Sequence, residues 1–491
     1  MKHIKSLLLF IGACFVSSTH ADVNTYFNKI KNDHQALYQF FKNMPKGGEL
    51  HYHLAGGPNP EKMLSLVAQD DYCLNTDSLA ISKTTSCDGV KTKDIFSDTT
   101  LYSKIIKSWS MQDFIPGEES GHDHFFNGFE KYLTIVFDYR PQLIADVIQR
   151  AAEQHEHYLE LMDIPDNANS LGFGELIKTI SSYAKKRQLL LANQDFQHNI
   201  QHTIDESEHM LQAARQGLGC DVNPKSAACQ VKIKFLYYTL REQPLNNVFA
   251  QTLNAFESVS RSRGTLVGVN LVQPEDGAIS LRDYHEQMLI FNYFHEIYPN
   301  VPISLHAGEL SPSSSTPEEL TNHIQEAVLT GHAQRIGHGV DITHETHASE
   351  TVKYMAQYHV PVEINLISNL KILNISGDNH PLNYYLDHQV PVVLSTDDEG
   401  ILRTDLSQQY VEAVQTHHLT YPALKQINRN ALTYAFLPGK SIWQNTNKTK
   451  MVNQCHDLNS SSCLQFIKKS EKAQLQWDLE QQLIAFEGSI S

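Results

Sequence analysis

Eight short runs rich in β-branched and aromatic residues recur at 48–54, 157–163, 232–242, 265–273, 302–309, 335–341, 361–369 and 391–398. Amphipathic stretches lie between most of them, among them 141–155, 245–261, 284–296, 318–331 and 351–359. Strands that alternate with helices make parallel β–α units, because a parallel pair needs a crossover that carries the chain back. Eight such units close into a (β/α)8 barrel, whose chemistry gathers at the C-terminal ends of the strands. The pattern predicts an α/β chain with a TIM barrel over 48–436, a helical segment before it at 22–47 and a helical extension after it at 437–491. The interval between the first two runs, about 55–156, is expected to be a helical insertion that overhangs the first strand as a lid.

A chain of 491 residues can bury a core of that size, and 41% hydrophobic with 19% charged residues is the balance of a soluble globular protein. The formal charge of -16 argues against nucleic acid and anionic membranes as partners. Residues 1–21 read as a cleavable export leader: Lys2 and Lys5 are followed by an apolar stretch too short to span a bilayer, then by Thr19-His20-Ala21. The stretch Ile11-Gly12-Ala13-Cys14 loosely resembles a lipoprotein signal, but its Ile and Gly depart from that pattern, so cleavage after Ala21 and a secreted or periplasmic product are expected. No later stretch is long and apolar enough for a membrane span. Of the seven cysteines, six lie outside the leader as near neighbours, Cys73 with Cys87, Cys220 with Cys229 and Cys455 with Cys463. Several connectivities are open, and spacing favours the neighbours, each bond contributing about 2–3 kcal/mol.

Four of the runs close on polar residues that hydrolytic chemistry uses: Glu49-Leu50-His51-Tyr52-His53, His306-Ala307-Gly308-Glu309, Arg335-Ile336-Gly337-His338-Gly339 and Ser395-Thr396-Asp397-Asp398. His51 and His53 stand two apart on a strand and so face the same side. The chain has 26 histidines, and the same spacing recurs at His122/His124 and His155/His157, so spacing alone means little. A lone His at such a place is more often a satisfied core residue, and paired carboxylates are more often a charged turn. Adjacent acids at the end of a buried strand, however, repel unless a cation or a proton neutralises one. Three imidazoles and a carboxylate make a zinc set, leaving a Glu, a His and a second Asp for proton transfer and substrate contact. All four motifs fall at strand ends, where a barrel places its chemistry.

These motifs, with the run Met44-Pro45-Lys46-Gly47-Gly48-Glu49-Leu50-His51-Tyr52-His53-Leu54, resemble the adenosine deaminase family, and the leader and lid-sized insertion resemble its secreted branch, the adenosine deaminase-related growth factors. The resemblance implies that His51, His53, His306 and Asp397 bind one zinc ion per chain. It implies that Glu309 shuttles a proton to purine N1, that His338 orients the attacking hydroxide, and that Asp398 contacts the base near N7. The expected reaction is hydrolytic deamination of adenosine or deoxyadenosine to inosine or deoxyinosine and ammonia. The alternatives are another amino-purine, or a non-catalytic signalling or binding relative, which the filled site positions disfavour. A binuclear site would need a bridging Lys on the fourth strand, and 265–273 has none. Two positions depart from the family pattern. Ala55 stands where an acidic residue meets the ribose, and Asn270-Leu271-Val272-Gln273 replaces Asp-Leu-x-Gly, with Gln273 at the base-contacting Gly. Sugar and base recognition are therefore expected to differ. The expected partner is a small purine nucleoside, with a homodimer left open.

Overall fold

The computed structural model describes residues 22–444 and 450–490, so the expected leader and Cys14 lie outside the described residues. Eight parallel strands form the centre: β1 Glu49–His53, β2 Tyr158–Asp163, β3 Lys232–Leu240, β4 Leu266–Val272, β5 Ser304–Ala307, β6 Arg335–His338, β7 Val362–Ile364 and β8 Val392–Leu394. They pair in chain order as two four-stranded halves, β1 to β4 and β5 to β8. Parallel bridges between Val269 and Ile303 and between Tyr52 and Asp397 join the halves into a barrel. Every residue of β4 and β8 is buried, which is why these strands read as unbroken apolar runs rather than alternating ones.

All eight expected strands are present. The seventh is shorter than expected, because the apolar stretch at 361–369 changes conformation halfway: β7 stops at Ile364 and Leu366–Leu373 is a helix. Short apolar runs carry no period that separates strand from helix. Helices Leu245–Arg261, Ala278–Ile297, His323–Leu329 and Ala348–Tyr358 fill the crossovers.

Between β1 and β2 the chain forms helices including Pro60–Val67, Thr99–Ser108 and Gly121–Phe129. The insertion is largely helical, and Tyr72–Leu74, Ile81–Lys83 and Val90–Lys91 add to it a three-stranded antiparallel sheet stapled by Cys73–Cys87. Strands of two or three residues leave no readable period. The insertion touches the barrel mouth: His122 Nε2 meets Asp276 Oδ1 beyond β4 at 3.0 Å, and Met111 N–H donates to Ile401 O beyond β8 at 2.8 Å. The tail helices Leu406–Gln415 and Tyr421–Tyr434 pack beside β8, where Asn430 Nδ2 donates to Val392 O at 2.7 Å. Beyond them a small second core of Ile442, Trp443, Ile467 and Ala473 surrounds the Cys455–Cys463 bond. Cys220–Cys229 is also bonded, so all three neighbour pairs form. Among the described residues no helix is long and apolar enough to cross a membrane.

Candidate active site

Closure of the barrel brings the four polar strand ends together. One ligand atom from each of His51, His53, His306 and Asp397 falls in a group whose members lie within 4.8 Å of one another. His53 Nε2 and His306 Nε2 are 3.1 Å apart, and Asp397 Oδ1 is 3.3 Å from Nε2 of both His51 and His53. His51 Nε2 is buried without a hydrogen-bond partner. Imidazole nitrogens converging on one carboxylate oxygen, one of them orphaned, are an arrangement that a cation completes, so the donor set fits a metal ion.

Two of the three rings are held from behind. His51 Nδ1 is 2.8 Å from Glu363 Oε2, and Glu363 in turn accepts from Arg335 Nε at 2.6 Å and Ser304 Oγ at 2.9 Å. Arg335 is clasped on its other side by Glu160 at 2.6 Å, so a buried row of alternating charges crosses the barrel beneath the cluster. His306 Nδ1 donates to Asn270 Oδ1 at 2.9 Å, leaving its Nε2 lone pair free. Ser368 Oγ donates to Asp397 Oδ2 at 2.7 Å. Gly337 has no room for a side chain, because a Cβ there would stand 2.7 Å from His51 Cε1.

The charges suit ligation. Burial drives His53 down to about 4, and burial with the neighbouring imidazoles holds His306 well below its ordinary value, so both are neutral donors. Although burial opposes it, the Asp397 and Glu363 carboxylates on either side of the ring raise His51 to about 10. The proton they hold there is the one a cation at Nε2 displaces. Asp397 stays far below the usual carboxylate range, because the contact with His51 and the other nearby imidazoles outweigh burial.

Glu309 and His338 stand beside the cluster, with His338 Nε2 3.6 Å from Glu309 Oε1 and 3.9 Å from Asp397 Oδ2. Burial, then Asp397 and Glu275, push the Glu309 carboxyl up to about 8, whereas burial lowers His338 to about 3. Burial next to Asp397 also raises Asp398 well above its ordinary value, and its Oδ1 has no partner. His338 and Asp397 have φ of 65° and 69°, a left-handed conformation that costs non-glycine residues about 1–3 kcal/mol and clusters at functional sites.

Gln273 shares that conformation at φ 88°, so the backbone keeps a glycine-like turn despite the side chain. The Gln273 side chain is anchored at its oxygen, Oε1 accepting from Glu242 N–H at 2.9 Å. Ala55 is buried in the loop after β1.

Sequence reading missed the supports, Glu363, Asn270, Glu275, Asn369 and His380. Glu275 accepts from the backbone N–H groups of Gly308 and Glu309, at 2.9 Å each, and is 2.6 Å from His323 Nδ1. It thereby fixes the turn that presents Glu309, where Gly308 takes φ 74°. A usable signal was the acid just beyond strand 4.

Residues 118–444 match the adenosine deaminase family model. An N6-methyl-AMP deaminase of Danio rerio is 26% identical over 416 residues, 84% of this chain and 95% of that one. An adenosine deaminase of Aliivibrio fischeri is 30% identical over 174 residues, 35% of this chain and 45% of that one. Among solved structures, arabidopsis ADAL complexed with IMP superposes with a TM-score of 0.56 at 18% identity, covering 91% of this chain and 99% of that one, a likeness of fold. With a barrel of that shape, a match over most of its length and a polar cluster at its strand ends, this chain belongs to the adenosine deaminase family of aminohydrolases.

Proposed function

We propose that the chain removes the 6-amino group of a purine nucleoside, adenosine or deoxyadenosine, by hydrolysis, with one zinc ion held by His51, His53, His306 and Asp397. The observation that carries this reading is the convergence of those four side chains with Glu309 and His338 at the mouth of one barrel. Zinc supplies a water made nucleophilic at neutral pH.

The chain's own residues do the rest. Glu309, protonated at neutral pH, gives its proton to ring nitrogen N1 as water adds at the neighbouring carbon. The first proton lost by the water passes through the Glu309 carboxylate to the amine, which leaves as ammonia, and the remaining hydroxyl proton restores the Glu309 acid as the C6 carbonyl forms. His338 orients the water. Asp398, which burial and the Asp397 charge shift toward the protonated form, offers a donor to an acceptor such as purine N7.

Basic side chains along the strand-end loops support a nucleoside over a nucleotide, since they are already engaged. Arg140 pairs with Asp163 at 2.8 Å, Arg403 with Glu61 at 2.8 Å, and Arg241 lies 3.8 Å from Glu275, while Lys371 donates to Leu402 O. The second reading is a 5′-nucleotide, favoured by the N6-methyl-AMP deaminase relative. Export to an oxidising compartment belongs to the same proposal, supported by the leader-like residues 1–21 and the three bonded cysteine pairs. These features, with the insertion, also support the secreted branch of the family.

The test is metal analysis beside ammonia release from adenosine, deoxyadenosine, adenine and AMP. One zinc per chain, lost in His306→Ala, and turnover of both nucleosides are expected. Two metals per chain, or ammonia from none of the four, would count against the reading.

A further inference from the structure

Both ends of the Asn369 amide are in use. Its Nδ2 lies 2.9 Å from His338 Nδ1, and its Oδ1 lies 3.0 Å from His380 Nε2. His380 is tied at its other ring nitrogen as well, where the backbone N–H of Leu382 donates to Nδ1 at 3.2 Å. Asn369, His338 and His380 are all buried. A backbone N–H can only donate, so this last contact sets the direction of the whole row. His380 Nδ1 accepts, and the ring proton is therefore on Nε2. That N–H donates to Asn369 Oδ1, which turns the amide NH2 toward His338. His338 Nδ1 accepts in its turn, and its own proton sits on Nε2. Asn365 Nδ2, 3.5 Å from the same Nδ1, adds a second amide donor on that side. His338 Nε2 has no protein partner and faces the cleft between Glu309 and Asp397.

We propose that Asn369 and His380 are positioning residues that lock His338 in its Nε2–H tautomer, so that His338 meets the attacking water as a hydrogen-bond donor and not as a base. A ring that already carries its proton on the facing nitrogen cannot accept another there while neutral. The proton lost by the water then has Glu309 as its acceptor. The kinetic part of this inference rests on the proposed deamination, whereas the tautomer is a property of the resting protein.

A merely structural role is the competing account, with His380 capping the Leu382 N–H and Asn369 filling space. Two substitutions separate the accounts. Asn369→Asp keeps the size but puts an acceptor where His338 Nδ1 needs a donor, so the proton moves to Nδ1. His380→Asn keeps an oxygen near the Leu382 N–H but no longer reaches Asn369, so the cap survives and the row is cut.

Long-range proton–nitrogen NMR on the full chain, labelled at histidine and assigned by the signals lost in His338→Gln, reads which ring nitrogen is bare. The expected wild-type state is a bare Nδ1 and a protonated Nε2. In Asn369→Asp, Nδ1 becomes protonated and kcat falls by about 10²–10⁴-fold with little change in KM. In His380→Asn the melting temperature is retained, kcat falls and the two tautomers mix. A protonated Nδ1 in the wild type, or wild-type kcat in both variants, overturns the proposal. The expected tautomer in a protein that releases ammonia from no purine supports the lock and sinks the deamination reading.

Discussion

Glu309 is an acid that its surroundings keep protonated, and its supports explain how. Burial opposes its charge, and Asp397 and Glu275 oppose it further, so the group can give a proton at neutral pH. Glu309→Gln keeps the shape of the side chain and removes the proposed proton shuttle. The expected outcome is a fall of about 10²–10⁴-fold in ammonia release with zinc content unchanged. Wild-type turnover in that variant would move the shuttle elsewhere. Glu275 has the opposite character: although burial raises it, His323 and Arg241 hold it down to about 2 from an ordinary 4.5. A depressed carboxylate contributes stability that is complete above about 4.5 and lost as pH falls through about 2. Acid unfolding followed by circular dichroism should therefore be shallower over that window in Glu275→Gln, which starts from a lower stability at neutral pH. The candidate ligands His51, His53, His306 and Asp397, like His338, were legible in the sequence because they close apolar runs, where packing alone gives a polar side chain no reason to be. Asn270, Glu363, Asn369 and His380 were not, because the same residue types serve caps and turns, and only the closed barrel shows what they face.

At the scale of elements, the strands were legible and the insertion much less so. Parallel strands buried on both faces leave apolar runs that stand out from amphipathic helices, whereas the insertion's two- and three-residue strands leave none. How the insertion is held over the mouth is visible only in three dimensions, in the contact of His122 with Asp276. Although burial opposes it, that hydrogen bond and charge raise the His122 imidazole to about 9, with Asp123 and Glu309 adding to the effect. A histidine raised in this way contributes fully below about 6.5, and its contribution is lost as pH rises through about 9. Hydrogen exchange across 118–139 should accelerate between about pH 6 and about pH 10 by more than intrinsic chemistry dictates. Asp276→Asn should remove the excess. An excess that persists in that variant would show that another contact holds the insertion.

For the whole molecule, net charge bears on substrate choice in a way that no single residue does. A chain with a formal charge of -16 carries a net negative field that a neutral nucleoside does not feel and an approaching nucleotide dianion does. The potential fades as salt shortens the Debye length, from about 30 Å at 0.01 M to about 8 Å at 0.15 M. Under the nucleoside reading, kcat/KM for adenosine should be flat across that range, while the smaller kcat/KM for AMP should rise with salt. A dedicated phosphate site would give the opposite slope, because salt weakens attraction between a bound phosphate and a local cation. Ala55 supplies the companion measurement. A site that hydrogen-bonds a sugar hydroxyl rejects a substrate lacking it, because a buried polar group is left unpaired. Ala55 offers no such group, so deoxyadenosine should be turned over within about tenfold of adenosine, a difference of about 1.4 kcal/mol. Ala55→Asp should widen that gap. An AMP rate that exceeds the nucleoside rates and falls as salt rises would transfer the assignment to nucleotides, whatever the sugar comparison shows.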